Sequence, residues 1–330
     1  MGHRKPRARI SGTGSFTPPH RMTNADFEKI IDTSDEWITT RTGIKERRIA
    51  RNGLQTSDMA LEACRRALDM AVCPPEDIDV LIVGTVTPDY PLPSTACVIQ
   101  EKLAFPNAVA FDIAAACAGF ISGLSIARSM IESGTARKAL VCGAEKLSTI
   151  TDYSDRGTCV LFGDGAGAAV LEASDDEVGV VETYLRSDGS MREWLWIEAG
   201  GSNQPITPDF PFDGRDKILM NGSDIFKVAV REMTKACVKV LDDAGVSADD
   251  IALVVPHQAN IRIIEGVAKR LQIGLDRFYL NIDRYGNTSA ASVPLALDEA
   301  NRNGRIRSGD YILMVAFGGG LIWGAALVKW

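Results

Sequence analysis

Apolar residues recur at helical spacing along residues 226–241, where Phe226, Ala229, Val230, Met233, Ala236, Cys237, Val240 and Leu241 share one face. This spacing predicts an amphipathic helix. A short acidic turn follows, and then the nearly unbroken apolar run "ALVVPH" at 252–257 predicts a buried strand. The same order occurs earlier in the chain. "ACRRALDMAVCPPEDI" (63–78) and "ACVKVLDDAGVSADDI" (236–251) share seven of sixteen residues, where chance gives about one. The strand "VLIVGT" (80–85) then parallels "ALVVPH", "KALVCGAE" (138–145) parallels "YILMVAFG" (311–318), and "GAAVLEA" (167–173) parallels "GAALVKW" (324–330). The chain therefore reads as a duplication. Each copy alternates strands and helices, which predicts two layered α/β halves with largely parallel sheets. The halves are placed at 1–175 and 176–330, where "ASDDEVG" interrupts the apolar pattern.

Packing two similar halves together brings equivalent loops to one pseudo-symmetric seam, and three residues are expected to meet there. "AVAFDIAAACAGFISGLSIARSMIESG" in the first half corresponds to "FYLNIDRYGNTSAASVPLALDEA" in the second. The correspondence sets Cys117 opposite the turn "YGNTS" with Asn287, and His257 closes the strand at 252–257. Each has a plainer reading. Cys117 could be a small buried hydrophobe, His257 a satisfied core histidine, and Asn287 a turn residue that tolerates positive φ. Position favours the sharper one. Cys117 opens a predicted helix, whose unpaired N–H groups and positive dipole end would favour a thiolate. Its small neighbours leave room for a substrate, and Gly119 and Gly123 let that helix pack closely. The other six cysteines fall within helix or strand patterns. His257 sits at the carboxyl end of an α/β strand, where site residues gather. His3 and His20 fall in an irregular start and a "PPH" turn.

Composition narrows the classes. A net charge of −7 and a pI near 5.2 argue against a nucleic-acid binder. No run is long enough to cross a bilayer, since "AFGGGLIWGAALV" (316–328) is short and glycine-rich. The basic start lacks the apolar core of an export signal. A cytoplasmic protein is expected. Seven cysteines without paired metal spacing fit a reducing compartment and no metal site. "FGDGAGAAVL" (162–171) contains a loose GxGxG but runs into a strand pattern, so it lacks the helix N-terminus that would hold a dinucleotide. The glycines of "FGGGLIWGA" suit exposed N–H groups, the material of an oxyanion hole.

These segments resemble one family. "AACAGF" around Cys117, "PHQANIRI" around His257 and "YGNTSAASVPLAL" around Asn287 are similar to the 3-oxoacyl-acyl-carrier-protein synthase III family of the thiolase superfamily. The likeness runs the whole chain, including "DTSDEWITTRTGIKERRIA" (32–50) and "DRGTCVLFGDGAGA" (155–168). It implies a five-layered, duplicated α/β fold, usually a homodimer, that joins an acyl-CoA primer to malonyl-acyl-carrier protein with loss of carbon dioxide. It further implies Cys117 as nucleophile, His257 and Asn287 as donors to the enolate, and the N–H groups of Cys117 and Gly319 as oxyanion hole. By the same resemblance Trp37 and Arg156 sandwich the adenine of CoA, Thr33 and Arg41 hold the nucleotide, Asn260 bonds the pantetheine arm, and Phe226 and Ala259 line its tunnel. Lys227, Gln258, Arg262, Lys269 and Arg270, with Arg231, would dock the acidic carrier protein, although a solvated helix face would also explain Arg231, Lys269 and Arg270. No resident cofactor is implied, because the substrates carry the CoA and phosphopantetheine thioesters. Leu92 stands where many relatives carry a phenylalanine that closes the acyl pocket across the dimer. The default primer is acetyl-CoA, with length and branching open. Rival readings are a homologue priming polyketide or quinolone-type synthesis, a non-catalytic partner subunit of the same fold, and a papain-like protease. The protease reading lacks the expected cysteine surroundings.

Overall fold

The computed structural model describes residues 6–330, so His3 lies outside it. The first sheet contains β1 (Arg7–Phe16), β2 (Val80–Gly84), β3 (Val109–Ile113), β4 (Lys138–Lys146) and β5 (Asp164–Ser174), in the order β1-β5-β4-β2-β3. The second contains β6 (Gly179–Ser187), β7 (Ile251–Pro256), β8 (Tyr311–Gly318) and β9 (Ile322–Lys329), in the order β7-β8-β9-β6. Parallel pairing is confined to β2 with β3 and β4, and to β7 with β8. One reversed strand in each sheet, β5 or β9, makes the rest antiparallel. The sheets are mixed because "GDGAGAAVLEA" and "IWGAALVK" return as hairpin partners of the preceding strand, without a crossover helix.

The helices explain the layering. Helix α1 (Asp35–Thr42) belongs to an excursion near the site. Helices α2 (Thr56–Ala71) and α3 (Thr95–Leu103) cover one face of the first sheet, with Met59, Ala63, Cys64, Ala67 and Ile99 packed on Leu81, Val83, Leu140 and Val170. Helix α4 (Gly119–Glu132) fills the space between the sheets. Helices α5 (Gly222–Ala244) and α6 (Ile261–Leu271) cover the far face of the second sheet. Helix α8 is separated from α6 by a single helical turn, α7 (Ile282–Tyr285), and runs from Ser292 to Arg302 beside α4. The result is five layers, α-β-α-β-α, as the resemblance implies. A middle layer apolar on both sides requires helices with no polar face. In α4, Phe120, Ile121 and Leu124 are fully buried, and a Cβ on Gly123 would come within 2.6 Å of Val141 Cγ1.

The second copy departs from the first at 278–282, the counterpart of β3. Residues 278–282 contribute only an isolated bridge from Phe278 to Val254. Asn287 therefore follows α7 rather than ending a strand. Cys73 and Cys159 likewise lie in turns and not within elements, although both are buried.

Candidate active site

Cys117 lies four residues beyond β3, inside a 3-10 turn (Ala116–Ala118) that runs directly into α4. Ala116 holds φ at 43°, an unfavourable left-handed conformation that bends the chain so the sulfur projects at the head of the helix. The end of β8 passes close behind. A Cβ on Gly318 would be 2.6 Å from the Cys117 nitrogen, so only glycine allows this approach. Beside it, Gly319 and Cys117 line one apolar cavity of about 300 Å³ together with Leu147, Ile150, Trp196 and Ile218.

Cys117 also lines a second, larger cavity of about 530 Å³, shared with His257, Asn287, Phe226, Ala259 and Asn260. The seam predicted from the repeat therefore exists, and it brings the three residues together. His257 follows β7 and is buried, with Nδ1 2.5 Å from the Ser292 hydroxyl. That hydroxyl receives the Gln258 N–H at 3.4 Å, so its own proton is available to Nδ1. This arrangement leaves Nε2 as the ring's N–H donor. Burial pushes the His257 imidazole down to about 3, so the ring is neutral. Asn287 Oδ1 accepts the Ser289 N–H at 2.9 Å, which fixes the amide orientation. Among the described residues no partner occupies Asn287 Nδ2. Two neutral donors and one thiol thus face one cavity.

The thiol itself corrects an expectation. Burial pushes Cys117 up to about 12, and the nearby Glu145 charge pushes the same way against the dipole of the Ser289 hydroxyl. The resting form is the thiol, because desolvation of sulfur outweighs the helix-end field.

The two segments that carry these residues match models of one family. Residues 111–189 match the 3-oxoacyl-[acyl-carrier-protein (ACP)] synthase III model, and residues 241–330 match its C-terminal model. The beta-ketoacyl-[acyl-carrier-protein] synthase III of Caldanaerobacter subterraneus subsp. tengcongensis is 53% identical over 98% of both chains. The chain belongs to the 3-oxoacyl-[acyl-carrier-protein] synthase III family. The crystal structure of the Aquifex aeolicus 3-oxoacyl-[acyl-carrier-protein] synthase III superposes with a TM-score of 0.92 at 49% identity, covering 98% of this chain and 100% of that one. The priming beta-ketosynthase from the R1128 polyketide biosynthetic pathway superposes with a TM-score of 0.91 at 36% identity, covering 100% and 99%.

Trp37, Arg41, Phe226, Ala259, Asn260 and Arg262 also line the larger cavity, whereas Thr33, Arg156, Lys227, Arg231, Lys269 and Arg270 do not. Trp37 is half-buried, with the Arg41 guanidinium 4.9 Å and the Arg156 guanidinium 4.8 Å from its ring centroid. Arg156 thus rests on the indole, with a hydrogen bond of 2.9 Å to the Asp32 carbonyl, and an aromatic ring can enter only by displacing it. The Thr33 hydroxyl is buried without a partner among the described residues. Asn260 caps α6 by accepting the Arg262 N–H at 2.9 Å, and it donates to the Arg41 carbonyl at 3.0 Å. One amide hydrogen remains free for a ligand. Lys227, Arg231, Arg262, Lys269 and Arg270 are all exposed on α5 and α6.

One position differs from what the resemblance implies. Gln258 is not on a docking surface: it is 1% exposed and joins the Pro256 and Tyr279 carbonyls and the Asn281 N–H. Ala259 and Asn260 after it are half-exposed, but Gln258 still points inward like Pro256 and His257 before it at the end of β7. Leu92 is 86% exposed and lines neither cavity that contains Cys117. Residues absent from the sequence reading also stand at the site, namely Glu145 and Ser289 near the sulfur and Ser292 on His257. The available signal was a carboxylate ending the apolar strand "KALVCGAE", since a buried charge needs a reason.

Proposed function

We propose that the chain condenses an acyl-CoA primer with malonyl-acyl-carrier protein, releasing carbon dioxide and forming 3-oxoacyl-acyl-carrier protein through an acyl-Cys117 intermediate. The convergence of Cys117, His257 and Asn287 on one cavity carries this reading. Thioester exchange onto sulfur is nearly balanced in energy and needs a nucleophile and an oxyanion pocket. The Cys117 and Gly319 N–H groups serve as that pocket. Malonyl decarboxylation then leaves an enolate, which His257 Nε2–H and Asn287 Nδ2 stabilise without adding negative charge. The enolate carbon attacks the acyl carbon, and the Cys117 sulfur leaves. The chemistry needs no resident cofactor, because each substrate brings its own thioester.

The larger cavity suits the pantetheine arm, with Phe226 and Ala259 on its wall and Asn260 offering its remaining amide hydrogen. Thr33, Trp37, Arg41 and Arg156 form the nucleotide end. The smaller apolar cavity takes the acyl chain. The exposed basic residues Lys227, Arg231, Arg262, Lys269 and Arg270 attract an acidic carrier protein to the mouth. A homodimer completes the site. Strand β3 is an open sheet edge whose Val109 is 53% exposed, and Tyr90 and Leu92 beside it are 47% and 86% exposed. Pairing this edge with a second copy would cover them and direct Leu92 toward the partner's acyl cavity.

Incubation with radiolabelled acetyl-CoA tests the reading. A stable acyl adduct is expected in the parent protein and none in Cys117→Ala. Labelling that persists in Cys117→Ala removes the proposed nucleophile.

A further inference from the structure

A buried carboxylate stands behind the nucleophile. Glu145 ends the apolar part of β4, is wholly buried, and has no ion-pair partner among the described residues. Its Oε2 accepts the Thr87 hydroxyl at 2.6 Å, the Val86 N–H at 3.1 Å and the Thr85 hydroxyl at 3.2 Å. Its Oε1 meets the Ser289 hydroxyl at 3.0 Å. The turn that begins at Ser289 packs on the turn that holds Cys117, and both residues line the same cavity. The groups facing Glu145 are therefore three polar groups of the loop after β2, the Ser289 hydroxyl and the Cys117 thiol. The adjacent Lys146 acts on Asp58 and Asp164 instead.

A hydroxyl has one proton, so Ser289 cannot donate to the carboxylate and to the sulfur at once. While Glu145 is ionised, Ser289 donates to it and keeps a lone pair for the Cys117 S–H. When Glu145 is protonated, the order reverses and Ser289 donates to a thiolate. The backbone holds this bridge in place, since Ser289 has φ of 48° and its N–H is fixed by Asn287. Burial pushes the Glu145 carboxyl up to about 7, whereas burial pushes the His257 imidazole down to about 3. The carboxylate is the stronger base of the two.

Resting on the acyl-Cys117 reading, we propose that Glu145, acting through the Ser289 hydroxyl, takes up the Cys117 thiol proton during acylation and returns it when the sulfur is expelled. In the first step the S–H proton passes to Ser289 Oγ and the Ser289 proton to Glu145 Oε1. Sulfur bonds to the acyl carbon, the carbon–sulfur bond to CoA breaks, and the CoA thiolate takes a proton from solvent. In the second step the enolate carbon bonds to the acyl carbon, the bond to Cys117 breaks, and the stored proton retraces its path to the thiolate. One proton is consumed overall, matching the loss of the malonyl carboxylate as carbon dioxide. Glu145 is a positioning residue in this scheme, because it reaches the sulfur only through Ser289.

Rapid-quench acetylation by acetyl-CoA and alkylation by iodoacetamide, each followed by mass spectrometry across neutral pH, test the proposal. The parent protein is expected to show both rates rising through a step near neutrality as Glu145 ionises. Glu145→Gln and Ser289→Ala are each expected to slow both reactions by on the order of a hundredfold and to erase the step, with no further loss in the double variant. Faster alkylation in Glu145→Gln, the result if the carboxylate acts only through its charge, overturns the proposal, as does an unchanged profile in Ser289→Ala. If Glu145→Gln does not fold, Ser289→Ala and the parent profile decide, and a parent profile without the step overturns it. Alkylation that shows the step while acetyl-CoA gives no adduct sinks the primer reading and supports the proton route.

Discussion

The two halves repeat one backbone with different chemistry on it. Ala116 and Ser289 occupy equivalent places before a central helix, and both hold left-handed φ, 43° and 48°. The next residue is Cys117 in one half and Ala290 in the other. Ala290 is wholly buried and lines no cavity with the catalytic groups, whereas Cys117 lines two. The strained turn is thus a property of the scaffold, and a cavity-lining thiol is placed on it only in the first half. In the second half the same turn presents Asn287 and Ser289 to the first half's sulfur. The ends of helices α2 and α5 show the converse, with one geometry and unequal fit. Their caps are Val72 at φ 50° and Gly245 at φ 64°. Glycine adopts this conformation freely, and a β-branched residue does not.

The largest effect is expected on the donor side of this comparison. Asn287→Asp places a negative charge beside the developing enolate, so malonyl decarboxylation should fall about a thousandfold, while acetylation of Cys117 is retained. Loss of both together would merge the roles assigned to the two turns. Because the imidazole pKa lies near 3, His257 stays neutral through physiological pH, and the decarboxylation rate of the acylated protein should show no inflection near the ordinary histidine value. Such an inflection, if it persists in Glu145→Gln, would mean that a charged imidazole takes part.

A smaller effect is expected where β8 passes the first turn. Gly318→Ala puts a Cβ 3.0 Å from Cys117 Cβ and closer still to its nitrogen. The displaced sulfur should acetylate on the order of a hundredfold more slowly. Full acetylation rates in a folded Gly318→Ala would show that the approach is not tight. The smallest effect compares the caps directly. Val72→Gly should raise stability by roughly 0.5–1 kcal/mol, net of the added freedom of the unfolded chain, and Gly245→Val should lower it by about 1–2 kcal/mol. Urea melts of the two variants with equal shifts would remove the asymmetry between the halves.

Much of this was legible in advance where apolar periodicity and the repeat agree. Helices α2 and α5, strands β2, β4, β7 and β8, and the meeting of Cys117, His257 and Asn287 all follow from paired signals at constant separation. Strand β1 was not legible, because "RARISGTGSF" begins basic and carries glycines where α2 presses against the sheet. The absent fifth strand of the second sheet escaped for a related reason: "FYLNI" has strand-like composition, but only Phe278 bridges to β7. Gln258 misled because its exposure depends on the path of the chain after β7, which composition does not encode.

The amino-acid order alone determined the duplication and which segments end at the seam, because alternation and internal similarity are local and repeat faithfully. Only the folded chain decided protonation and company: that burial holds the thiol and the imidazole neutral, that Gln258 turns inward, and that Glu145 meets Ser289, 144 residues away in the chain, beside Cys117. Desolvation and contact depend on what surrounds a group in three dimensions, and residues remote in sequence supply those surroundings.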